Sequence, residues 1–247
     1  MTLYLSRLRL SRSPGNRALD ALLMPEDKGQ RSDANHRLLW TVFSDGPDRT
    51  RDFLWRQEGP GLFLTLSARP PADHDLFERH EVKAFDPALS AGQRLGFVLR
   101  ANATRTEKTG TLSSGGKEKR RHIDLVMDAL HPLPRLKDLP PGTQSPRADA
   151  RLPEAARVAE TWLARQGAQH GFTVQNTRLE DYSTVEVMSA RKANLPRARN
   201  KRPYFGVLDI AGEIEVTDPA AFLAQLPVGF GRAKSYGCGL MLIRRAG

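Results

Sequence analysis

The stretch FDPALSAGQRLGFVLRAN, residues 85–102, decides how the chain divides. Residues 85–93 hold Pro, Ser and Gly without an apolar period, which marks a linker, whereas GFVLRAN at 96–102 reads as a strand. From that strand onward the chain repeats the order of elements that precedes the linker. Upstream, residues 2–10 read as a strand, with Leu3 and Leu5 at period two. A turn signal at Ser13-Pro14-Gly15 leads to a short helical stretch, 16–24, and a polar segment. Asp33 is expected to cap a second helix, because Leu38, Leu39, Val42 and Phe43 lie beyond it at helical spacing. The run SDGPD at 44–48 ends it. Strands at 51–57 and 62–68 are joined by Gly-Pro-Gly at 59–61, and after a polar, turn-rich stretch a short strand, VKAF, occupies 82–85.

Downstream of the linker, residues 104–121 are rich in Thr, Ser, Gly and Lys and predict an exposed loop or flexible hairpin. Six prolines between 132 and 153 predict an irregular insertion. Ala155, Val158, Ala159, Trp162 and Leu163 then mark one face of a helix over 154–168. Alternating stretches at 171–180 and 183–190 come next, and 203–216 is the most strand-like run in the chain. Asp218-Pro219 opens a last short helix, with an Asp cap and Pro at the first helical position. A Gly-rich loop, 229–239, feeds a terminal strand. Both halves thus give roughly β-α-β-β-α-β order, although the second helix of the first half is indistinct. The predicted class is α+β, two tandem ferredoxin-like (RRM-like) domains, residues 1–88 and 93–247. An RRM receives nucleic acid on its open sheet face through aromatic side chains. No such aromatic signature occurs on a central strand, so an RNA contact is expected by another route.

The 247 residues carry 38 Lys+Arg against 28 Asp+Glu, a formal charge of +10. No apolar run approaches the roughly 18–20 residues that span a bilayer, which excludes a helical membrane protein. Cys238 is the only cysteine. That excludes an internal disulfide framework and a Cys-based zinc site and favours a reducing compartment, so the expected location is the cytoplasm. Basic residues are unevenly spread: segments 100–122, 191–202 and 229–247 carry net charges of +5, +6 and +4, and the remaining chain is net negative. Such concentration suits a surface that neutralises phosphates, whereas a solvated charged face is the plainer alternative.

The loop Gly229 to Gly239 holds four glycines with Arg232, Lys234 and Ser235, which lets the backbone approach an anion while supplying donors. It is not a Walker A loop, because Lys234 follows Ala233 rather than Gly. It is not a Rossmann turn either, because too little chain remains beyond it. His36 sits on the first long helix, ahead of Leu39, Trp40 and Phe43; His122, His131 and His170 look incidental. Asp73-His74-Asp75 with Glu78, His80 and Glu81 is the one cluster with metal-ligand chemistry, in a loop-like stretch without a fixed ligand motif. No metal and no cofactor are expected. No Gly-x-Ser-x-Gly elbow is present, and Cys238 has no obvious base beside it.

The order of parts, with particular residues, resembles the CRISPR-associated endoribonucleases of the CasE type, the subunits that process crRNA in type I-E Cascade. Four pieces carry the resemblance: Tyr4-Leu5-Ser6-Arg7-Leu8; His36-Arg37-Leu38-Leu39-Trp40 running to Phe43 and then Arg51-Asp52-Phe53-Leu54; Leu99-Arg100-Ala101-Asn102; and Gly229-Phe230-Gly231, Lys234-Ser235 and Gly237-Cys238-Gly239-Leu240. They span nearly the whole chain in the family's order.

The resemblance implies tandem ferredoxin-like domains that bind the stem-loop of a CRISPR repeat and cut at its 3′ base without metal. His36 matches the family's catalytic histidine, as general base or acid. A basic hairpin of the family's second domain corresponds to Arg191, Lys192, Arg197, Arg199, Lys201 and Arg202. Further RNA contacts are expected from Arg100, Lys119, Arg120 and Arg121, and from Gly229, Gly231, Arg232, Lys234 and Ser235 in the loop. The partners implied are CRISPR repeat RNA and the other Cascade subunits, with no membrane and a monomer outside the complex. There is one departure: the family often has a tyrosine one turn before the histidine, where this chain has Asp33. An anionic Asp33 close to His36 is expected to raise its pKa and favour an acid role. Two other readings stay open, a non-catalytic RNA-binding subunit and a metal-dependent nuclease using 73–81.

Overall fold

The computed structural model of the chain describes residues 2–14, 28–46, 49–112, 115–186 and 204–246. In the first half β1 (Leu3–Arg9) is followed by α1 (Lys28–Phe43), β2 (Phe53–Gly59), β3 (Leu62–Ser67) and β4 (Glu81–Phe85). The second half runs β5 (Arg94–Ala101), β6 (Thr104–Leu112), β7 (Glu118–Asp124), α2 (Leu125–Ala129), α3 (Pro146–His170), β8 (Phe172–Glu186), β9 (Tyr204–Val216), α4 (Pro219–Val228) and β10 (Met241–Arg245). The sheets are ordered β2-β3-β1-β4 and β10-β5-β9-β8. Every pairing in them is antiparallel. With the strands of each four-stranded sheet numbered in chain order, both sheets read 4-1-3-2, and the tandem ferredoxin-like class rests on that shared order. Among the described residues, no helix is long and apolar enough to cross a membrane.

Alternation sets the faces. On β5, Leu95, Phe97, Leu99 and Ala101 are buried, whereas Val98 and Arg100 point to the other side. The buried set packs under α3 and α4 with Ala159, Trp162, Leu163, Phe222, Ile210 and Ile214. Leu54 and Leu66 from the first half join this same core. A second core holds Leu38, Leu39, Val42 and Phe43 of α1 against Phe53, Trp55 and Phe63.

Several elements differ from expectation. Helix α1 begins at Lys28, so Asp33 lies inside it and caps nothing; its carboxylate reaches Arg37 one turn on. The stretch 16–24 lies outside the described residues. No helix fills 68–80: Pro70-Pro71 opens an irregular segment whose buried Phe77 bridges Leu10. Helix α3 starts eight residues before the expected 154, at Pro146, capped by Ser145, whose side chain accepts from the Ala148 N–H. Pro153 lies within it, where the helix is exposed and no apolar stripe reveals it. The two stretches expected at 171–190 form one strand, β8, as far as the chain is described. Its register slips at Val174/Asn176 and Leu179/Asp181 break the alternation. Residues 104–121 make the β6–β7 hairpin, and Asp218 caps α4 by accepting from Ala221 N–H at 3.0 Å.

Candidate functional site

His36 lies half-buried on α1, one turn before Trp40. The Trp40 indole donates from Nε1 to His36 Nε2 at 3.1 Å, and the rings meet edge to face with centroids 6.1 Å apart. Burial lowers the His36 pKa, and the Arg51 guanidinium lowers it further; Asp33 raises it, but less. The expected upward shift is therefore overturned. Arg37 holds the Asp33 carboxylate, and desolvation with Arg51 outweighs it.

Arg51 enters from the segment before β2 and donates from a guanidinium nitrogen to Ser235 Oγ at 3.1 Å, across 184 positions of sequence. Ser235 belongs to the Gly-rich loop, whose centre is a single 3₁₀ turn, Lys234–Tyr236. Strand β5 holds that loop from beneath. Gly239 N–H donates to Arg100 C=O at 2.7 Å and Arg232 N–H to Asn102 C=O at 3.3 Å, while Phe230 N–H closes the loop on Gly239 C=O at 2.9 Å. Gly231 has φ of 75°, and a Cβ there would stand 2.7 Å from Asn102 O, so this approach admits only glycine. Ala233 is the one described non-glycine residue at positive φ, 55°. Lys234 is half-buried: burial lowers its pKa, and Arg51 and Arg232 lower it further. Tyr236 rests edge to face on Phe205, and its pKa is raised by burial and by Asp33.

His36, Arg51, Lys234 and Ser235, with Arg232 close to Lys234, thus form one electropositive neighbourhood made from both halves. An imidazole among crowded cations is suited to an anion that undergoes chemistry. Arg100 lies beneath the loop, 3.7 Å from Asp209, at a polar cavity of about 220 Å³ bordered by Asn35, Trp55, Asp181 and Tyr236. Burial raises the Asp209 pKa against the pull of Arg100. Lys119, Arg120 and Arg121 sit apart, exposed on β7, with no ion pair among the described residues; their neighbours Lys108 and Glu118 pair at 3.3 Å. Arg191, Lys192, Arg197, Arg199, Lys201 and Arg202 lie outside the described residues.

Residues 73–81 turn to local tasks. His74 Nδ1 accepts from Leu76 N–H, His80 Nε2 contacts Ala72 C=O at 3.0 Å, and Glu78 and Glu81 pair with Arg9 and Arg7. No group of three or more His, Cys, Asp or Glu residues able to hold a metal gathers among the described residues. Sequence reasoning missed Arg51 and Trp40. Trp40 was accessible, since positions four apart on a helix face one another. Arg51 carried no local signal, because its partner is in the other half.

The family model described as CRISPR associated protein matches residues 3–245. The CRISPR system Cascade subunit CasE of Escherichia coli (strain K12) is 25% identical over 213 residues, covering 83% of this chain and 88% of that protein. The structure of Thermus thermophilus Cse3 bound to an RNA representing a pre-cleavage complex matches with a TM-score of 0.62 at 22% identity, over 99% of this chain and 100% of the other. The crystal structure of the CRISPR-associated protein Cas6e from E. coli K-12 matches with a TM-score of 0.57 at 20% identity, over 98% and 100%. At these identities the two structures establish a shared fold.

Proposed function

The chain belongs to the CRISPR-associated protein family, and from that premise we propose that it is a CasE-type endoribonuclease that processes precursor crRNA. Its two domains, residues 1–88 and 93–247, bind the stem-loop of a CRISPR repeat, cut at the 3′ base of the stem without metal, and stay on the product beside the other Cascade subunits. The observation that carries this reading is the meeting of His36 with Arg51, Lys234 and Ser235, drawn from opposite ends of the chain. In the reaction the RNA's own 2′-oxygen bonds to the adjacent phosphorus and the bond to the 5′-oxygen breaks. A 2′,3′-cyclic phosphate and a 5′-hydroxyl result. One proton leaves the 2′-hydroxyl and one arrives at the 5′-oxygen, so no water is consumed. The phosphorane gains negative charge, which Arg51 and Lys234 oppose at short range.

The exposed Lys119, Arg120 and Arg121 and the basic segment 191–202 supply the longer-range attraction to the stem. One experiment tests the reading: cognate repeat RNA is incubated with wild type and His36→Ala in EDTA. Cutting by wild type alone is expected. No cutting under any metal condition favours a binding-only subunit, and cutting that needs added metal points to 73–81.

A further inference from the structure

We propose that the cavity between α4 and the segment leading into β2 is a base-binding subsite, which takes the nucleobase of one of the two nucleotides flanking the phosphate at Arg51 and Lys234. This rests on the reading of that cluster as the place where RNA is cut. The cavity has a volume of about 570 Å³, inside the roughly 300–1,000 Å³ of small-molecule sites. One wall is α4. Its sequence, PAAFLAQLPV, has Gln225 as its only polar side chain, and a helix that is apolar all round is ordinarily buried. Phe222 and Leu226 do enter the core, but Ala224, Pro227 and Val228, which line the cavity, are exposed, Val228 by 56%. Phe53 and Leu54 add apolar surface to the lining, and Arg51 and Lys234 share it.

Charge decides the occupant. A second protein would also cover an apolar helix face, but this one adjoins two cations that form no ion pair among the described residues. Burial lowers the pKa of both, so an anion beside them offsets the cost of their desolvation. Asp52, the one acidic residue on the lining, is already held by Arg49 at 2.6 Å and Arg69 at 3.0 Å. An apolar slot with unpaired cations on its lining matches a nucleotide, whose base presents a flat π-face and whose phosphate is anionic. The α4 wall is also anchored to the loop. Gly229, at φ 77°, turns the chain out of α4, and a Cβ there would stand 2.7 Å from Leu54 Cδ1. Gln225 Nε2 donates to Gly229 C=O at 2.8 Å. The α4 wall and the turn that carries Lys234 and Ser235 therefore belong to one anchored segment, so a base seated in the cavity sets where its phosphate lies.

The test measures the coupling between base and cavity in the full chain. Repeat RNA is prepared intact and with an abasic residue immediately 5′ or immediately 3′ of the scissile phosphate. Each RNA is cut in single turnover by wild type, by Ala224→Trp, which fills the cavity, and by Val228→Gln, which makes its exposed edge polar. Both positions are exposed, so the fold tolerates the changes. Affinity is read in parallel with the same RNAs carrying a 2′-deoxyribose at the cut. In wild type, the abasic residue at one of the two positions should lower affinity and subsaturating cutting by about 5–30-fold, the range for a base lost from its stack. Each variant should lose a similar factor on intact RNA, and the abasic residue should then cost it less than about 2-fold more. A wild type indifferent to both abasic RNAs, or losses that multiply in full in both variants, overturns the proposal. If the 2′-deoxy RNAs show the coupling but wild type cuts nothing, the endoribonuclease reading fails and the base site stands; cutting without the coupling in either measurement does the reverse.

Discussion

Replacing Asp124 by alanine removes an acceptor shared by four donors. Its Oδ1 accepts from the N–H groups of Val126 and Met127, each at 3.1 Å, and so caps α2. Its Oδ2 accepts from Gly206 N–H at 2.6 Å and from Asn102 Nδ2 at 3.2 Å. Losing the cap costs about 1 kcal/mol. The Gly206 N–H is buried and keeps no acceptor, which costs about 1–3 kcal/mol more. Asn102 Nδ2 retains Gly206 C=O at 2.8 Å, so its loss adds little. The expected total is about 3 kcal/mol, a large part of the roughly 5–15 kcal/mol that holds a domain folded. In equilibrium urea unfolding, with a slope of about 2–3 kcal/mol per molar, the midpoint should fall by about 1 M at constant slope. Asp124→Asn should lose less, because one oxygen still serves the cap while the amide cannot accept from Gly206 on its nitrogen side. The effect should reach the loop as well, since Asn102 C=O is the acceptor for Arg232 N–H. A loss below about 1 kcal/mol, or an asparagine variant as damaged as the alanine one, would refute this account of the junction.

Arg51→Gln should raise the His36 pKa, because the guanidinium disfavours the imidazolium, and Asp33→Asn should lower it; NMR titration of His36 in both variants reads the two signs, and shifts in one direction would sink the electrostatic assignment. Cys238 is fully buried, and burial pushes its thiol up to about 12. It should therefore resist a thiol reagent in the folded protein and react once when unfolded, so rapid native labelling would refute its placement. Changing Lys119, Arg120 and Arg121 to glutamine should flatten the plot of log affinity for repeat RNA against log salt by about 2–3 units, with an unchanged slope removing them from the interface.

Legibility in the sequence depended on locality. Alternation along 203–216 and Gly-Pro-Gly between β2 and β3 identified their strands because each signal and its cause lie within a few residues. Asp218-Pro219 marked α4 for the same reason. The first two turns of α3 were hidden because Leu152 and its neighbours face solvent, leaving prolines as the only visible cue. Asp33 was misread for a related reason: a capping side chain and an interior one look alike until the helix start is known. The site was half legible. The resemblance carried His36 and the loop, but the bond from Arg51 to Ser235 spans the whole molecule, and no periodicity encodes it.

The contact from Arg51 changes how the departure at position 33 is understood. A carboxylate beside a histidine argues for an imidazolium only when no cation competes. Here Arg37 draws Asp33 away along the helix, while Arg51, committed to Ser235, stands on the side that the loop closes. After burial, the stronger of the two charges acting on His36 therefore comes from a segment outside its own helix, and the loop that this charge bonds to is built by the other half of the chain. An anion bound beside Arg51 and Lys234 would offset the cations that depress His36, so its protonation and anion binding would be thermodynamically linked. Asp33 thus acts as a minor correction to a balance set first by burial and then by Arg51.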